Sequence, residues 1–126
     1  MVAPPVVEST FGSLDELAVR LDCTRIALDE LDTAGTFGPE NRSAAATCTL
    51  GGGAASLALF ADTERRDAWI AQGREFGCDA ARELDIPSFH FAVGANWAVE
   101  PADITDLAAT ETIAATLGGT ARTIDC

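Results

Sequence analysis

His90, the single histidine of the chain, is the side chain best suited to general acid–base chemistry. It stands in the run FHFAVGANWAV, residues 89–99, which Glu100 follows directly. If residues 89–93 and 97–99 form a hairpin, His90 and Glu100 come side by side, and a nearby Ser or Cys could act as a nucleophile. A partly exposed strand histidine explains the same residue more simply, so an enzyme or ligand site centred on His90 stays an alternative.

Motifs of established enzyme and metal sites are absent from the sequence. It contains no H-E-x-x-H, G-x-S-x-G or G-x-G-x-x-G pattern. Gly51–Gly53 lead into a predicted strand rather than a helix and are not followed by G-K-[ST], so they indicate a hairpin turn and not a phosphate loop. We therefore predict no catalytic residue, no metal site and no cofactor.

The cysteines carry the next chemical signal. Cys23, Cys48, Cys78 and Cys126 are dispersed and form no C-x-x-C pair, which disfavours zinc ribbons and thioredoxin-type redox motifs. Of the three pairings, the sequence favours Cys23 with Cys48 on neighbouring strands and Cys78 with Cys126 to hold the C-terminus. Two disulfides would suit an oxidising compartment, whereas reduced, buried cysteines remain the alternative.

Charge and hydropathy exclude two classes of partner. The chain has 20 acidic residues against eight arginines and a net charge of −12, which disfavours nucleic acids and anionic membranes. No apolar run is long enough to span a bilayer. We expect a protein or small-molecule partner.

The elements that position these residues follow from patterns along the chain. Ser13 and Glu16 form a capping box before an apolar helical face, and Gly51–Gly53 separate two strands. The predicted elements are a helix over 13–21, strands over 23–28, 45–50 and 54–61, a helix from Asp62 or Thr63 to near Gly77, a hairpin of 89–93 and 97–99, a helix from Asp103 to Leu117, and a final edge strand.

This order predicts an α+β fold of two layers, a mostly antiparallel sheet with helices on one face. From residue 54 it matches the split βαβ arrangement of ferredoxin-like folds. Strand 45–50 and the last strand compete for one place beside strand 54–61. We expect an extended lead-in over residues 1–12 and a single disulfide-stapled domain over 13–126. Trp69 and Trp97 should meet in its core, and His90, Asn96 and Glu100 should lie on an outward face that could meet a partner.

The second half of the sequence resembles small secreted or lipid-anchored domains of high-GC Gram-positive bacteria. The resemblance lies in an R-D-A-W helix, a V-G-x-N-W-x-V hairpin and a last helix ending in Gly-Gly, between residues 57 and 119. The matching positions are Phe60, Arg66, Asp67, Ala68, Trp69, Val93, Gly94, Asn96, Trp97, Val99, Gly118 and Gly119. The resemblance implies an extracytoplasmic location, with any lipid anchor upstream of Met1, and assigns no catalytic residue.

Together these features predict a non-enzymatic accessory or binding module at the cell envelope. The alternative is a cytosolic oligomeric subunit that associates through an open sheet face.

Overall fold

A computed structural model describes residues 9–28 and 42–126. Residues 1–8 of the predicted lead-in and residues 29–41, between the predicted strands 23–28 and 45–50, lie outside the described residues. The elements in chain order are α1 (Leu14–Leu21), β1 (Thr24–Leu28), β2 (Ala44–Leu50), β3 (Gly53–Leu59), α2 (Thr63–Glu83), β4 (Ser88–Val93), β5 (Trp97–Glu100), α3 (Leu107–Leu117) and β6 (Thr120–Asp125). The predicted α+β class is confirmed.

The strands form one open antiparallel sheet in the order β1-β2-β3-β5-β4-β6. Gly51 and Gly52 take positive φ angles of 59° and 88° in the β2–β3 turn, so this predicted hairpin is confirmed. The strands β3 and β4 flank β5, which gives the split βαβ unit. Of the two strands that could pair with β3 at this position, β2 does so, and β6 pairs with β4 at the other edge of the sheet.

The helices lie on both faces of the sheet. The predicted helical layer on one face is formed by α1 and α3, whose buried residues share a core with alternate residues of β2, β3, β4 and β5; we call this the α1/α3 face. In contrast to the expectation that all helices share one face, α2 packs on the other side, against Phe91, Val93, Ala98 and Ile124; we call this the α2 face.

The position of β6 explains why α2 and α3 are separated. The crossover from β3 to β4 passes β5, and the crossover from β5 to β6 passes β4 in the same lateral direction. Because β3 and β5 run antiparallel, two crossovers of the same hand must place their helices on opposite faces. Had β6 paired with β3, the same rule would have put both helices on one face.

Trp97 is the centre of the α1/α3 face. Its side chain is fully buried, and its Nε1 donates to Ser9 O at 3.0 Å. The Phe11 ring meets the indole edge-on at 5.9 Å between centroids. Ser9 N also donates to Gly118 O at 3.1 Å. Residues 9–12, assigned by the sequence to the lead-in, therefore pack on the folded body.

Trp69 is the centre of the α2 face. Its ring centroid lies 5.5 Å from that of Phe60 and 6.2 Å from that of Phe91. Trp69 is buried as predicted, but it belongs to a different core from Trp97, so the expected contact between the two tryptophans is wrong. The alternating apolar residues of the run 89–99 are likewise divided, because pairing of Val93 with Ala98 places Phe91 and Val93 on one face and Trp97 and Val99 on the other.

Two helix boundaries differ from the predictions. The helix α2 continues past Gly77 to Glu83, because residues 80–83 are good helix formers and Ala81 is buried. The helix α3 is capped by Asp106, whose carboxylate accepts from Ala109 N at 3.0 Å, and not by Asp103. Asp103 instead accepts from Thr105 N at 2.9 Å in the preceding turn.

Candidate functional site

His90 and Glu100 do not lie opposite each other in the sheet. The β4–β5 register pairs Ala92 with Val99, and Glu100 pairs with Ser56 of β3. Strand alternation therefore assigns the side chains of His90 and Glu100 to opposite faces. His90 is buried, and its Nδ1 shares a hydrogen bond of 2.8 Å with Thr123 Oγ1. The predicted His90–Glu100 pair is not formed.

Asn96 holds the N-terminal segment. Its Oδ1 accepts from Phe11 N at 3.0 Å, and its Nδ2 donates to Phe11 O at 2.8 Å. His90, Asn96 and Glu100 thus have three different surroundings and do not form the expected outward partner face. The small residues between them are covered as well, since Ala92 is 0% and Ala98 1% exposed.

All four cysteines are paired as the sequence favoured. Cys23 bonds to Cys48 with a Cα–Cα distance of 5.8 Å, and Cys78 bonds to Cys126 with a distance of 5.3 Å. The first disulfide joins the end of α1 and β1 to β2, and the second joins α2 to the end of β6. None of the four cysteines is a free thiol, so a cysteine nucleophile beside His90 is not formed.

A cavity of about 470 Å³ lies between α2 and the sheet, and no pattern in the sequence led us to expect it. Residues of α2, β4, β5 and β6 line it, together with the segments before β4 and after β5. The lining residues are Trp69, Ile70, Gly73, Phe76, Gly77, Ala80, Ala81, Leu84, Ile86, Phe89, His90, Phe91, Glu100, Ile104 and Ile124. The volume lies within the range of small-molecule sites in proteins.

Small residues of α2 create this space. Between Trp69 and Leu84 the inner stripe of the helix carries Gly73, Gly77 and Ala80, at the spacing of one helical face. A Cβ on Gly77 would lie 2.7 Å from the Phe89 ring, whereas a Cβ on Gly73 would meet nothing within 4 Å. The absence of a side chain at Gly77 thus makes room for the Phe89 ring, and the absence of one at Gly73 leaves space in the cavity. This stripe of small residues is visible in the sequence, but a helix that ends near Gly77, as predicted, does not include Ala80.

Glu100 is the acidic group of the cavity. It follows Val99 in β5 and lies half-buried on the α2 face. Burial raises the pKa of the Glu100 carboxyl above its usual value, and the positive charge of Arg42 opposes this shift without cancelling it. A carboxylate in this position is incompletely compensated by the protein's own charges.

Trp69, another lining residue, carries a buried indole N–H. Its Nε1 is buried and has no hydrogen-bond partner among residues 9–28 and 42–126. Most buried donors in proteins are paired, so this N–H is an unusual polar group beside the apolar lining. At the outer side, Phe76 and Leu84 are 58% and 70% exposed, which gives the cavity an apolar mouth.

A second, more polar depression lies between the β2–β3 turn and α3. It has a volume of about 550 Å³ and is bordered by Gly51–Gly53 and by Asp103 and Asp106. Both carboxylates already accept backbone hydrogen bonds. The hydrogen bonds that Asp103 accepts from the Thr105 hydroxyl and from Thr105 N lower the pKa of its carboxyl group. This depression is therefore explained by a turn and a helix cap.

Metal-ligating clusters and membrane-spanning helices are both missing from the part of the chain that the structure describes. No group of three or more His, Cys, Asp or Glu side chains among residues 9–28 and 42–126 is placed to hold a metal ion. None of the described helices combines the length and the apolar character needed to cross a bilayer.

Comparison of the chain with known protein families, with curated proteins and with solved structures finds no match.

Proposed function

We propose that this protein is a non-enzymatic, extracytoplasmic binding module that holds a small, largely apolar molecule between α2 and the sheet. The observation that carries the proposal is the cavity of about 470 Å³, in which apolar residues predominate and Glu100 is the acidic residue of the lining. Sites of this size and character, with a few placed polar groups, are the usual form of small-molecule sites.

The location outside the cytoplasm belongs to the same proposal. It is supported by the pairing of all four cysteines, since disulfides persist mainly in oxidising compartments. The resemblance of residues 57–119 to small secreted or lipid-anchored domains of high-GC Gram-positive bacteria supports an envelope location. Protein purified from its native host should carry both disulfides by mass spectrometry without reduction, and four free thiols would contradict the location.

The binding role is tested by filling the cavity. Gly73→Leu places a side chain in open volume, and Ala71→Leu adds a leucine at an exposed position of the same helix. Titration with the uncharged, environment-sensitive dye Nile red should give saturable fluorescence with the unaltered protein and with Ala71→Leu, and a much weaker signal with Gly73→Leu. Equal signals from all three proteins would contradict binding in this cavity.

The two alternatives lose the features that suggested them. The enzyme hypothesis required His90 beside Glu100, but the register separates them. The oligomer hypothesis required an open sheet face, but Ala92 and Ala98 are covered by the protein's own helices. The small-molecule module is therefore the single functional proposal.

A further inference from the structure

The surroundings of Glu100 point to a more specific ligand class. Four aromatic side chains line the same cavity as this carboxyl group, namely Trp69, Phe76, Phe89 and Phe91. Aromatic rings attract cations through their negative faces, and a carboxylate supplies a full opposite charge. Aromatic rings together with one acid are the combination that proteins use to bind organic cations.

Charge compensation favours a cation over the other ligand types. An ionised carboxylate among apolar side chains is unfavourable unless a positive charge lies beside it. Arg42 supplies part of that charge, but burial remains the stronger influence on Glu100. A cationic ligand would supply the rest, whereas an anionic ligand would bring a second negative charge into the same space. The net charge of −12 acts in the same direction, because it attracts cations to the protein.

We propose that the cavity binds an apolar organic cation, a protonated amine whose charge lies beside Glu100 and whose hydrocarbon part lies among the aromatic side chains. This inference rests on the proposed small-molecule function and names its ligand class. Glu100 is the residue that determines specificity. The exposed Phe76 and Leu84 at the mouth contact the part of the ligand that extends toward solvent.

Three probes that share one hydrocarbon part test the inference: 4-phenylbutylamine, 4-phenylbutan-1-ol and 4-phenylbutyrate. Isothermal titration calorimetry at neutral pH should show the amine binding about tenfold more tightly than the alcohol, with the carboxylate weakest. Glu100→Gln should reduce the affinity for the amine to that for the alcohol and leave the alcohol unchanged. Glu100→Asp keeps the charge and should retain a preference for the amine.

A matched control separates the local charge from the overall charge. Glu75→Gln makes the same chemical change at an exposed position of α2 that is not among the lining residues, and it should retain the tenfold preference. Gly73→Leu should weaken binding of the amine and the alcohol alike. Circular dichroism of each variant shows that it has folded.

The outcomes distinguish the two proposals. Equal binding of amine and alcohol, or an amine preference that persists in Glu100→Gln, overturns the cation inference and leaves the apolar binding function standing. A preference lost equally in Glu75→Gln and Glu100→Gln assigns the effect to net charge and also overturns the inference. If the amine and the alcohol both fail to bind to the unaltered protein, both proposals are contradicted.

Discussion

Asn96 and Phe11 exchange two hydrogen bonds across 85 residues of sequence: Phe11 N donates to Asn96 Oδ1 at 3.0 Å, and Asn96 Nδ2 donates to Phe11 O at 2.8 Å. The pair fixes residues 9–12 against the β4–β5 turn. It also holds the Phe11 ring over Trp97, so the N-terminal segment completes the core of the α1/α3 face.

Replacing Asn96 with Ala should destabilise the protein by about 1–3 kcal/mol, because both backbone groups of Phe11 lose their partner. Urea unfolding measures the change in the free energy of unfolding. Hydrogen exchange at the Phe11 amide should accelerate beyond what global destabilisation explains. An unchanged urea midpoint would show that this pair does not hold the segment.

Glu100→Gln should increase stability at neutral pH. Burial raises the pKa of Glu100 above 4.5, so the folded state binds this proton more tightly than the unfolded state. The stabilisation linked to the neutral carboxyl is complete below pH 4.5 and is lost as the pH rises through the higher folded-state value. The advantage of the variant should therefore be small near pH 4.5 and grow toward pH 7.

Urea unfolding of both proteins across this pH range measures that difference. Glu75→Gln controls for the general effect of removing one negative charge from an acidic protein. A Glu100→Gln protein that is less stable than the unaltered protein at pH 7 would contradict the buried position of this carboxyl.

Two glycine-to-alanine changes should have opposite effects. A Cβ on Gly119 would lie 2.3 Å from Val93 O and 2.6 Å from the Trp97 ring, so Gly119→Ala should cost about 1–3 kcal/mol or more through overpacking. A Cβ on Gly73 meets nothing within 4 Å inside α2, so Gly73→Ala should add about 0.5–1 kcal/mol. Thermal unfolding compares the two, and the near-ultraviolet circular dichroism of the tryptophans should change in Gly119→Ala. A Gly119→Ala protein as stable as the unaltered one would refute the close packing of the Trp97 ring against Gly119, and a destabilised Gly73→Ala protein would refute the open space at Gly73.

Removing the second disulfide should be the more costly of the two disulfide changes. Replacement of Cys78 and Cys126 together by Ser opens a link between residues 48 positions apart and should cost about 4 kcal/mol on the chain-entropy model. The same change at Cys23 and Cys48, which are 25 positions apart, should cost about 3.5 kcal/mol. Unfolding by guanidinium chloride measures both.

The two disulfide variants should also differ in ligand binding. Only the Cys78–Cys126 disulfide joins α2 to β6, whose Ile124 borders the cavity. Nile red binding should therefore weaken in the Cys78/Cys126 double variant and persist in the Cys23/Cys48 double variant, at temperatures where both remain folded. Equal loss in both would argue against a link between this disulfide and the cavity.

The residues of the R-D-A-W and V-G-x-N-W-x-V patterns have structural roles. Arg66 is 8% exposed, and its Nη1 donates to Gly94 O at 2.7 Å while its Nη2 lies 2.9 Å from Asp67 Oδ1. Gly94 leaves room for the Trp97 ring, since a Cβ there would lie 1.9 Å from Trp97 Nε1. Packing and hydrogen bonds therefore join the R-D-A-W helix to the V-G-x-N-W-x-V hairpin. These structural contacts explain the spacing of the two patterns without a catalytic role for their residues.

Local interactions made several features predictable from the sequence. Ser13 and Glu16 form the predicted capping box at the start of α1, with Glu16 N donating to Ser13 Oγ at 3.1 Å. Positive φ angles at Gly51 and Gly52 fix the β2–β3 hairpin. The pairing of Cys23 with Cys48 is favoured because Cys48 lies on β2 and Cys23 directly before the adjacent strand β1. Each of these depends on residues that are close in sequence or on strands joined in simple order.

The candidate site itself could be recognised only in part. The sequence predicts a pairing of Glu100 with His90 that a one-residue register offset prevents. Gly73 and Trp69 are four positions apart and so share one helical face, but whether that face closes on the sheet or leaves a space also depends on the size of the residues opposite it. Those residues belong to other elements, so the sequence of the helix alone does not decide the size of the space.

The sequence by itself determined the α+β class and the two hairpins, because capping, turn chemistry and strand alternation act over a few residues, and it favoured one of the three possible cysteine pairings. Only the tertiary structure decided that β2 takes the place beside β3 and sends β6 to the far edge. That choice places α2 and α3 on opposite faces, separates Trp69 from Trp97, and leaves the small residues of α2 to enclose the cavity beside Glu100. Whether β2 or β6 pairs with β3 depends on packing and on chain connections between residues far apart in sequence. No local sequence pattern determines that choice.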